Sequence, residues 1–493
     1  MDPVDLRLLP VASAAWLAAV VVVRAPVAVT VVVGACCLAG ASLLAWTAPR
    51  ACPRWRWSGS VVLAAGVAGS VALAGAAQQE ARWSGRWPEA VGERWTVALV
   101  GTTASVPVPT RYGGTCRFLL GVDTVHARGV TTAAATTVRV EAPCQHLAPM
   151  SRVEVTGRLA SVPAGRATAV LRASTPVRVL RDPPAWSTVA DRTRVAGTQA
   201  SADLPSPLDA LLPGIVWGDT SRMDDELLEQ MRVTGLTHIT AVSGAHFVIV
   251  VSTVLMVTTA MRLPRPARAA AAATVSVGLV VLVGPEPSVL RAAVMGGVGL
   301  LGLLAGRRSA APAALAGSVV FLVLVDPWLA TELGFTLSVA ATAGIVGLGG
   351  PLVERWSRRV PRALAVAVAV PLSAQLAVTP VLLEVTPAVP TYAVVANLLA
   401  APTLAPVTVL GMLGLVVVTW WPAAGQVLFW LAGAACAWIV LVARLVATAP
   451  GSTVDWLPGP LGVVTGTGAV VAVMVLLSRP SSRTGRAGQG DAP

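Results

Sequence analysis

The sequence contains no lysine: all 36 of its basic residues are arginines. Only 12% of its 493 residues are charged, whereas about 25% is typical of a soluble domain. Six cysteines are too few for a disulfide framework, and four histidines leave little material for metal chemistry. These shortages exclude an ordinary soluble enzyme, a disordered chain and a small disulfide-rich domain. The absence of lysine also reflects coding bias, so the net charge of +12 is by itself weak evidence for nucleic-acid binding.

Long apolar stretches are abundant, with 55% hydrophobic residues and a mean hydropathy of +0.73. Since one span needs about 20 apolar residues, we predict a polytopic α-helical membrane protein with about twelve spans. We do not expect the first span to be a removable signal peptide, because Asp2 and Asp5 accompany Arg7 ahead of it. The predicted spans are 8–23, 26–46, 59–77, 239–261, 268–284, 288–305, 310–325, 333–349, 363–383, 391–419, 424–447 and 458–478.

The chain between the third and fourth spans has a different pattern, with short runs in which apolar and polar residues alternate between Gly/Pro breaks. Such period-two alternation predicts half-buried strands. Five strands in this length favour a small β-barrel similar to an OB-fold, although a sandwich is also compatible. The runs begin at Thr96, Cys116, Thr137, Val153 and Ala169.

A polar, acidic segment follows, in which Pro205, Pro207 and Pro213 are expected to break the helices. Asp224 opens a predicted helix that we expect to lie at the membrane surface, with a plain linker as the alternative. The chain then divides into N-terminal membrane helices, an OB-like β domain, amphipathic or linker helices, a membrane channel domain and a disordered tail. The corresponding ranges are 1–77, 78–186, 187–237, 238–478 and 479–493.

Arginines cluster in alternate connections between the predicted spans. Under the positive-inside rule these connections are cytoplasmic, so the 78–237 region lies outside the cytoplasm. The last spans lack strongly charged loops, and the side of the C-terminus stays open. The clusters are Arg50/Arg54/Arg56, Arg262/Arg265/Arg268, Arg307/Arg308, Arg355/Arg358/Arg359/Arg362 and Arg479/Arg483/Arg486.

The densest polar cluster lies at the start of the fourth span and holds His238, Ser243, Gly244 and His246. Polar groups in a membrane usually face an interior cavity, which favours a pore entrance or a binding site. Hydrogen bonding between helices is the alternative. Catalysis by Ser243 is disfavoured because the chain has no G-x-S-x-G elbow and no histidine after His246. We therefore expect no enzyme activity and no catalytic residue.

Two further clusters contribute candidate pore residues. Ser288 and Arg291 open the sixth span, where a charge at membrane depth needs a partner or water, and Glu332 is a possible partner. Arg291 then serves either as a phosphate contact or gating ion pair, or in a purely structural pair. Gln375 and Asn397 supply amides that could line a conduit, but such amides more often bond a neighbouring helix.

The outer β domain carries ten arginines against four acidic residues between positions 95 and 182. A basic barrel suits contact with a nucleic-acid backbone, with coding bias as the alternative. Tyr112 and Phe118 are the main candidates for base stacking. The candidate DNA-binding residues are Arg111, Arg117, Arg139, Arg158 and Arg172.

Cys116 and Cys144 are the only cysteines of the outer domain. The topology places them in an oxidising compartment, so we expect them to form a disulfide, with two free thiols as the alternative. No metal-binding or phosphate-loop motif occurs in the sequence, and we expect no cofactor and no bound metal.

Three stretches have the order and spacing of one known family. They are Gly218-Asp219 with Thr234-Gly235-Leu236-Thr237-His238 and Val242-Ser243-Gly244-Ala245-His246; Pro287-Ser288-Val289-Leu290-Arg291-Ala292-Ala293-Val294-Met295; and Asp326-Pro327 through Glu332-Leu333-Gly334-Phe335-Thr336-Leu337-Ser338 to Asn397. Together they resemble the ComEC-type competence protein family, the membrane channel for DNA uptake in bacterial transformation. Ala245, Phe247 and Thr336 depart from the family pattern.

This resemblance implies passage of a single DNA strand across the cytoplasmic membrane, with partners that include a DNA receptor and a helicase or ATPase. Many members also carry a C-terminal metallo-β-lactamase-like domain, and we expect this chain to lack it, since no histidine follows His246. A small-solute secondary transporter or a membrane scaffold are the alternative functions. Oligomeric state, pore size, energy source and the source of any nuclease activity are left open by the sequence.

Overall fold

The computed structural model describes residues 7–47, 56–110, 114–240, 242–284, 287–304 and 311–478. Within them the chain is mostly helical, with one large sheet inserted after the first four helices. The helices are α1 Leu9–Arg24, α2 Val27–Thr47, α3 Arg56–Arg82, α4 Trp87–Gly92, α5 Ala185–Ser201, α6 Leu208–Trp217, α7 Asp225–Val233, α8 Thr237–Thr240, α9 Gly244–Ala260, α10 Arg265–Val283, α11 Pro287–Leu304, α12 Ala311–Val325, α13 Leu333–Gly344, α14 Gly350–Trp356, α15 Arg362–Val385, α16 Ala393–Val417, α17 Pro422–Ala447 and α18 Gly459–Ser478.

Eight helical segments within the described residues are long and apolar enough to cross a membrane. They lie in α2, α3, α10, α15, α16, α17 and α18 and in α13–α14, which a π-helical segment joins into one rod. The prediction of a multi-pass membrane protein is confirmed at this level. The remaining four predicted spans correspond to α1, α9, α11 and α12, whose apolar stretches are shorter. At 1.5 Å per residue these helices fall short of a hydrocarbon core of about 30 Å.

The large sheet has seven strands and mixed pairing. Its path runs β1–β3–β4–β6–β5, and β5 also pairs with β1. The β4–β6 ladder is parallel and the other ladders are antiparallel. The strands are β1 Thr96–Thr103, β2 Val108–Pro109, β3 Thr115–Ala127, β4 Val130–Pro143, β5 Arg152–Ser161, β6 Ala169–Ala173 and β7 Arg178–Arg181.

Alternation of buried and exposed positions explains this sheet. Leu99, Leu120, Val138 and Leu171, from four different strands, are fully buried in one core. Each of the five predicted strand runs lies in one of the strands β1, β3, β4, β5 and β6. The expectation that Phe118 offers a stacking surface is wrong, because its side chain is only 3% exposed and packs into this core. Tyr112 lies outside the described residues.

The polar segment after the sheet is helical and packs onto the membrane helices. Every residue from Ala210 to Trp217 is buried. The expectation that Pro213 breaks the helices is wrong, because Pro213 lies inside α6 and the helix continues past it to Trp217. The residues on both sides of Pro213 are buried, so tertiary packing outweighs the unfavourable effect of proline in a helix. Asp224 caps α7 as expected, with its carboxylate accepting a hydrogen bond from the Leu227 N–H at 2.7 Å.

The sheet is attached to the membrane helices at the C-terminal ends of α3 and α12. Arg82 stacks on the Trp328 ring at 3.8 Å and donates to the carbonyl of Arg166. Arg166 lies 3.7 Å from the Asp326 carboxylate. Asp326 ends α12 and precedes α13, so this contact also fixes the sheet beside the start of α13.

The remaining helix ends sort into two sets. A two-stranded ladder, β8 Ala388–Pro390 with β9 Thr453–Asp455, joins the connections after α15 and α17. At the opposite ends of the neighbouring helices, Arg355 donates to the Leu477 carbonyl at 2.8 Å. The end of α18 therefore lies on the same side as the arginine-rich connection after α14, and the sheet and both short strands lie on the other side.

Candidate functional site at the mouth of the membrane domain

The N-terminus of α9 is built by a local cap. Ser243 has an extended backbone and precedes the first helical residue. Its N–H donates to Nδ1 of His246 at 3.0 Å, and its hydroxyl lies 3.0 Å from the same atom. This reciprocal bonding between the cap and the third helical residue is a form of the capping box, with histidine as the acceptor. It holds the His246 side chain at 1% exposure.

The cap also defines the chemistry of the other ring nitrogen. Because Nδ1 of His246 accepts the Ser243 N–H, the proton of the neutral ring belongs to Nε2. Nε2 is buried and has no hydrogen-bond partner among the described residues. A buried donor without an acceptor costs about 1–3 kcal/mol. An acceptor that enters from outside the protein would recover that cost.

Arg291 lies in the second turn of α11 and is only 5% exposed. Its Nε and Nη2 donate to the Ser338 hydroxyl at 3.0 and 2.6 Å, and its Nη1 lies 3.0 Å from the Met295 sulfur. No salt bridge of Arg291 with a carboxylate occurs within the described ranges. Its contacts among the described residues are therefore neutral groups around a buried cation.

A glycine allows α9 and α11 to meet at this point. A Cβ atom on Gly244 would lie 2.9 Å from Nη2 of Arg291, so a side chain there would displace the guanidinium. Ser288 adds a second connection, with its hydroxyl donating to the Val242 carbonyl at 3.0 Å. We call Ser243, Gly244, His246, Arg291 and Ser338 the mouth cluster.

The expected partnership between Arg291 and Glu332 is wrong. Glu332 precedes the first residue of α13, whereas Arg291 bonds Ser338, which lies further along that helix. Arg291 lies in the second turn of α11 and is level with the second turn of α13, where Ser338 lies. Glu332 is at the start of α13, more than one turn away from that level. Ser338 and Met295 lie in the motifs that the sequence analysis identifies, but periodicity gives no signal for their role because it depends on how α11 and α13 are rotated.

The side chains of three other predicted pore residues form hydrogen bonds outside the mouth cluster. His238 is exposed, and its Nδ1 lies 3.1 Å from the Gly235 carbonyl. Gln375 bonds Thr379 within α15 at 3.4 Å. Asn397 donates to the Ala393 carbonyl within α16 at 2.8 Å. Both amides thus bond their own helices, and their assignment to the conduit stays a prediction.

The sheet domain presents a row of arginines on its outer face. The β3–β4–β6–β5 register aligns Arg117 with Glu141, Glu141 with Arg172, and Arg172 with Arg158. Arg139 lies two residues from Glu141 on the same face of β4. All four of these arginines are exposed, and Arg172 lies 3.5 Å from Glu141. Arg111 lies outside the described residues.

The cysteines of this domain, Cys116 and Cys144, are joined by a disulfide, with their Cα atoms 4.8 Å apart. It ties the start of β3 to the residue after β4. In the part of the chain that the structure describes, no three histidine, cysteine, aspartate or glutamate side chains are grouped to hold a metal ion.

The architecture defines a class: a multi-pass membrane protein with a sheet domain on one side and a polar, partly buried cluster at the helix ends near that domain. A family model described as "Competence protein" matches residues 215–481, more than half of the chain and all of the mouth cluster. The chain belongs to the competence protein family. No curated protein and no solved structure matches it.

Proposed function

We propose that this protein conducts a single strand of DNA across the cytoplasmic membrane into the cell during natural transformation. The observation that carries the proposal is the mouth cluster, which offers donors without an acidic partner among the described residues. Among the described residues, neither the guanidinium of Arg291 nor the Nε2–H of His246 has an acceptor of opposite charge. Phosphate oxygens are acceptors that bear negative charge, so the DNA backbone is the complementary ligand.

The sheet domain fits a role in collecting the polyanion. Its pairing runs from β1 through β3, β4, β6 and β5 and returns to β1, and we infer from this that it forms an OB-like barrel. The exposed arginine row suits contacts to phosphate. Between Thr96 and Arg181 the described residues include no exposed phenylalanine, tyrosine or tryptophan ring, which favours backbone contact over base stacking.

The orientation belongs to the same proposal. The sheet domain lies outside the cytoplasmic membrane and the arginine-rich connections lie inside. A disulfide between Cys116 and Cys144 agrees with an oxidising compartment. Captured DNA then meets the mouth cluster on the same side of the membrane as the sheet.

The proposal assigns transport and no catalysis to this chain. We expect the purified protein to bind single-stranded DNA in a salt-dependent way and not to cut it in the presence of Mg²⁺, Mn²⁺ or Zn²⁺. Cleavage lost on changing His126 or His146 would contradict this. A DNA receptor and a helicase or ATPase are the expected protein partners.

Complementation of a competence-deficient deletion strain tests the proposal. The chain should restore nuclease-protected, internalised DNA, and cells that lack it should still bind DNA at their surface. Surface-bound DNA without internalised DNA in the complemented strain would contradict a channel role.

A further inference from the structure

The hairpin formed by α16 and α17 carries no charged residue from Ala393 to Ala443, and Arg444 in the last turn of α17 is its single charge. By length and composition both helices could cross a membrane. At 1.5 Å per residue the 25 residues of α16 extend about 38 Å, which is more than the hydrocarbon thickness. If α16 crossed, its two ends would lie on opposite sides of the membrane.

The segment that packs on α16 contains many charged residues, and these are unfavourable in the hydrocarbon core of a bilayer. Twelve charged residues lie between positions 185 and 233, which cover α5 to α7. Several of them form ion pairs, such as the partly buried pair of Arg222 with Asp209 at 2.8 Å and the exposed pair of Arg232 with Glu229 at 2.6 Å. A helix whose two ends touch this segment or the turn that directly follows it therefore has both ends near the aqueous surface.

One end of α16 touches this segment, and the other end touches the turn that directly follows it. At the first end, a Cβ on Gly235 would lie 2.8 Å from the Ala393 Cβ. At the other end, a Cβ on Gly197 would lie 2.4 Å from the Leu415 side chain, and one on Gly411 would lie 2.3 Å from the Val216 side chain. These close approaches are possible because each pair contains a glycine.

The companion helix α17 follows the same path. A Cβ on Gly433 would lie 3.2 Å from the Leu204 side chain. The ring of Phe429 lies 6.4 Å from that of Trp217, the last residue of α6. Residues of both hairpin helices thus share one core with the polar segment.

A second set of contacts shows on which side of the membrane domain the Leu415 end of α16 lies. Arg194, one turn before Gly197 on α5, donates to the Leu282 carbonyl at 3.3 Å. Leu282 lies at the end of α10 that adjoins the mouth cluster, and Ala393 follows β8 on that same side. The Leu415 end of α16 therefore lies on the side of the sheet domain, as the Ala393 end does.

We propose that the α16–α17 hairpin does not cross the membrane but lies within the leaflet on the side of the sheet domain, packed on α5–α7 through one face and on lipid through the other. The lipid is the occupant because the outward face carries no charge before Arg444 in the last turn of α17 and is rich in tryptophan, a residue enriched at membrane interfaces. The exposed apolar side chains on it include Leu413, Val416, Trp430 and Trp438, whereas Trp420 lies in the turn at the hairpin tip, near the aqueous surface. This inference does not depend on DNA passage.

Thiol accessibility tests the inference. Single cysteines at the hairpin tip, Trp420→Cys and Ala423→Cys, are placed in a chain whose unpaired native cysteines are replaced by alanine. A membrane-impermeant maleimide is added to intact cells. Val130→Cys, exposed on the β3–β4 turn, marks the sheet side, and Ser357→Cys, after α14, marks the opposite side.

The inference predicts that the tip cysteines are labelled in intact cells to the same extent as Val130→Cys. Labelling only after permeabilisation, as for Ser357→Cys, would show that α16 crosses the membrane and would overturn the inference. Protection under both conditions would place the tip inside the hydrocarbon and would also overturn it. Two tip positions are used so that poor insertion of one variant leaves the other to decide.

Discussion

Arg291 is the residue on which the proposed passage of DNA chiefly depends. A charge at the centre of a membrane helix costs at least about 2.5 kcal/mol, and less towards the surface. Its contacts within the described ranges, Ser338 and Met295, are neutral and do not compensate that charge. A phosphate that passes the mouth cluster would supply the compensating charge. The site would therefore attract DNA while each phosphate is in contact with Arg291.

We predict that Arg291→Ala lowers internalised DNA by about 10- to 100-fold, because a hydrogen bond to a charged group contributes about 1.5–3 kcal/mol. Surface-bound DNA and the amount of protein in the membrane should stay unchanged. Arg291→Lys, which keeps the charge but not the two bonds to Ser338, should retain an intermediate activity. If Arg291→Ala disappears from the membrane, the residue is structural and its assignment to passage is wrong.

The cysteine pair makes a separate prediction at the residue scale. Replacing Cys116 and Cys144 by serine should destabilise the sheet domain by about 3 kcal/mol, because the closed loop restricts the unfolded chain. In intact cells of the wild type, maleimide should label neither cysteine until a reductant is added. Val130→Cys provides the positive control for access. Two reactive thiols without reductant would contradict the disulfide.

Among the structural elements, the strands of the sheet are those that sequence periodicity predicts best. Five strands alternate over enough residues to be recognised, whereas β2 has two residues and β7 is exposed at all four. Neither of these buries an apolar face, so no alternation could reveal it. Hydropathy likewise locates the membrane helices, but it carries no information on their rotation, and the Ser338 partner of Arg291 was therefore beyond its reach.

The exposed arginine row is an element-scale feature with a measurable consequence. Each phosphate contact to a single strand contributes about 0.7 to the slope of log affinity against log salt concentration. The triple variant Arg117→Ala, Arg139→Ala and Arg172→Ala should therefore reduce the slope by about 2 and weaken binding of all sequences alike. Fluorescence anisotropy of an oligonucleotide with the full-length protein measures it.

A matched control is available on the same domain. Arg86 is exposed but is engaged by Glu89 at 3.1 Å, away from the row. Arg86→Ala should leave the slope nearly unchanged. If the slope of Arg86→Ala falls by about one third of the fall in the triple variant, binding follows net charge and not this surface.

For the whole molecule, the contact between Arg355 and Leu477 predicts the side of the C-terminus, which loop charges alone leave open. The end of α18 shares its side with the arginine-rich connection after α14, which the positive-inside rule places in the cytoplasm. A fluorescent protein fused after Ser478 should therefore fluoresce, and alkaline phosphatase at the same position should be inactive. Active phosphatase there would reverse the orientation.

Passage of DNA through the helices, and not merely beside them, is the central claim. Photocrosslinking during uptake tests it most directly, with a photoreactive phenylalanine at Met295, next to Arg291, or at Val464, which is exposed on α18. The account predicts that labelled DNA arrested during uptake crosslinks at position 295 and not at 464. DNA that enters these cells with no crosslink at 295, or with equal crosslinks at both positions, would contradict it.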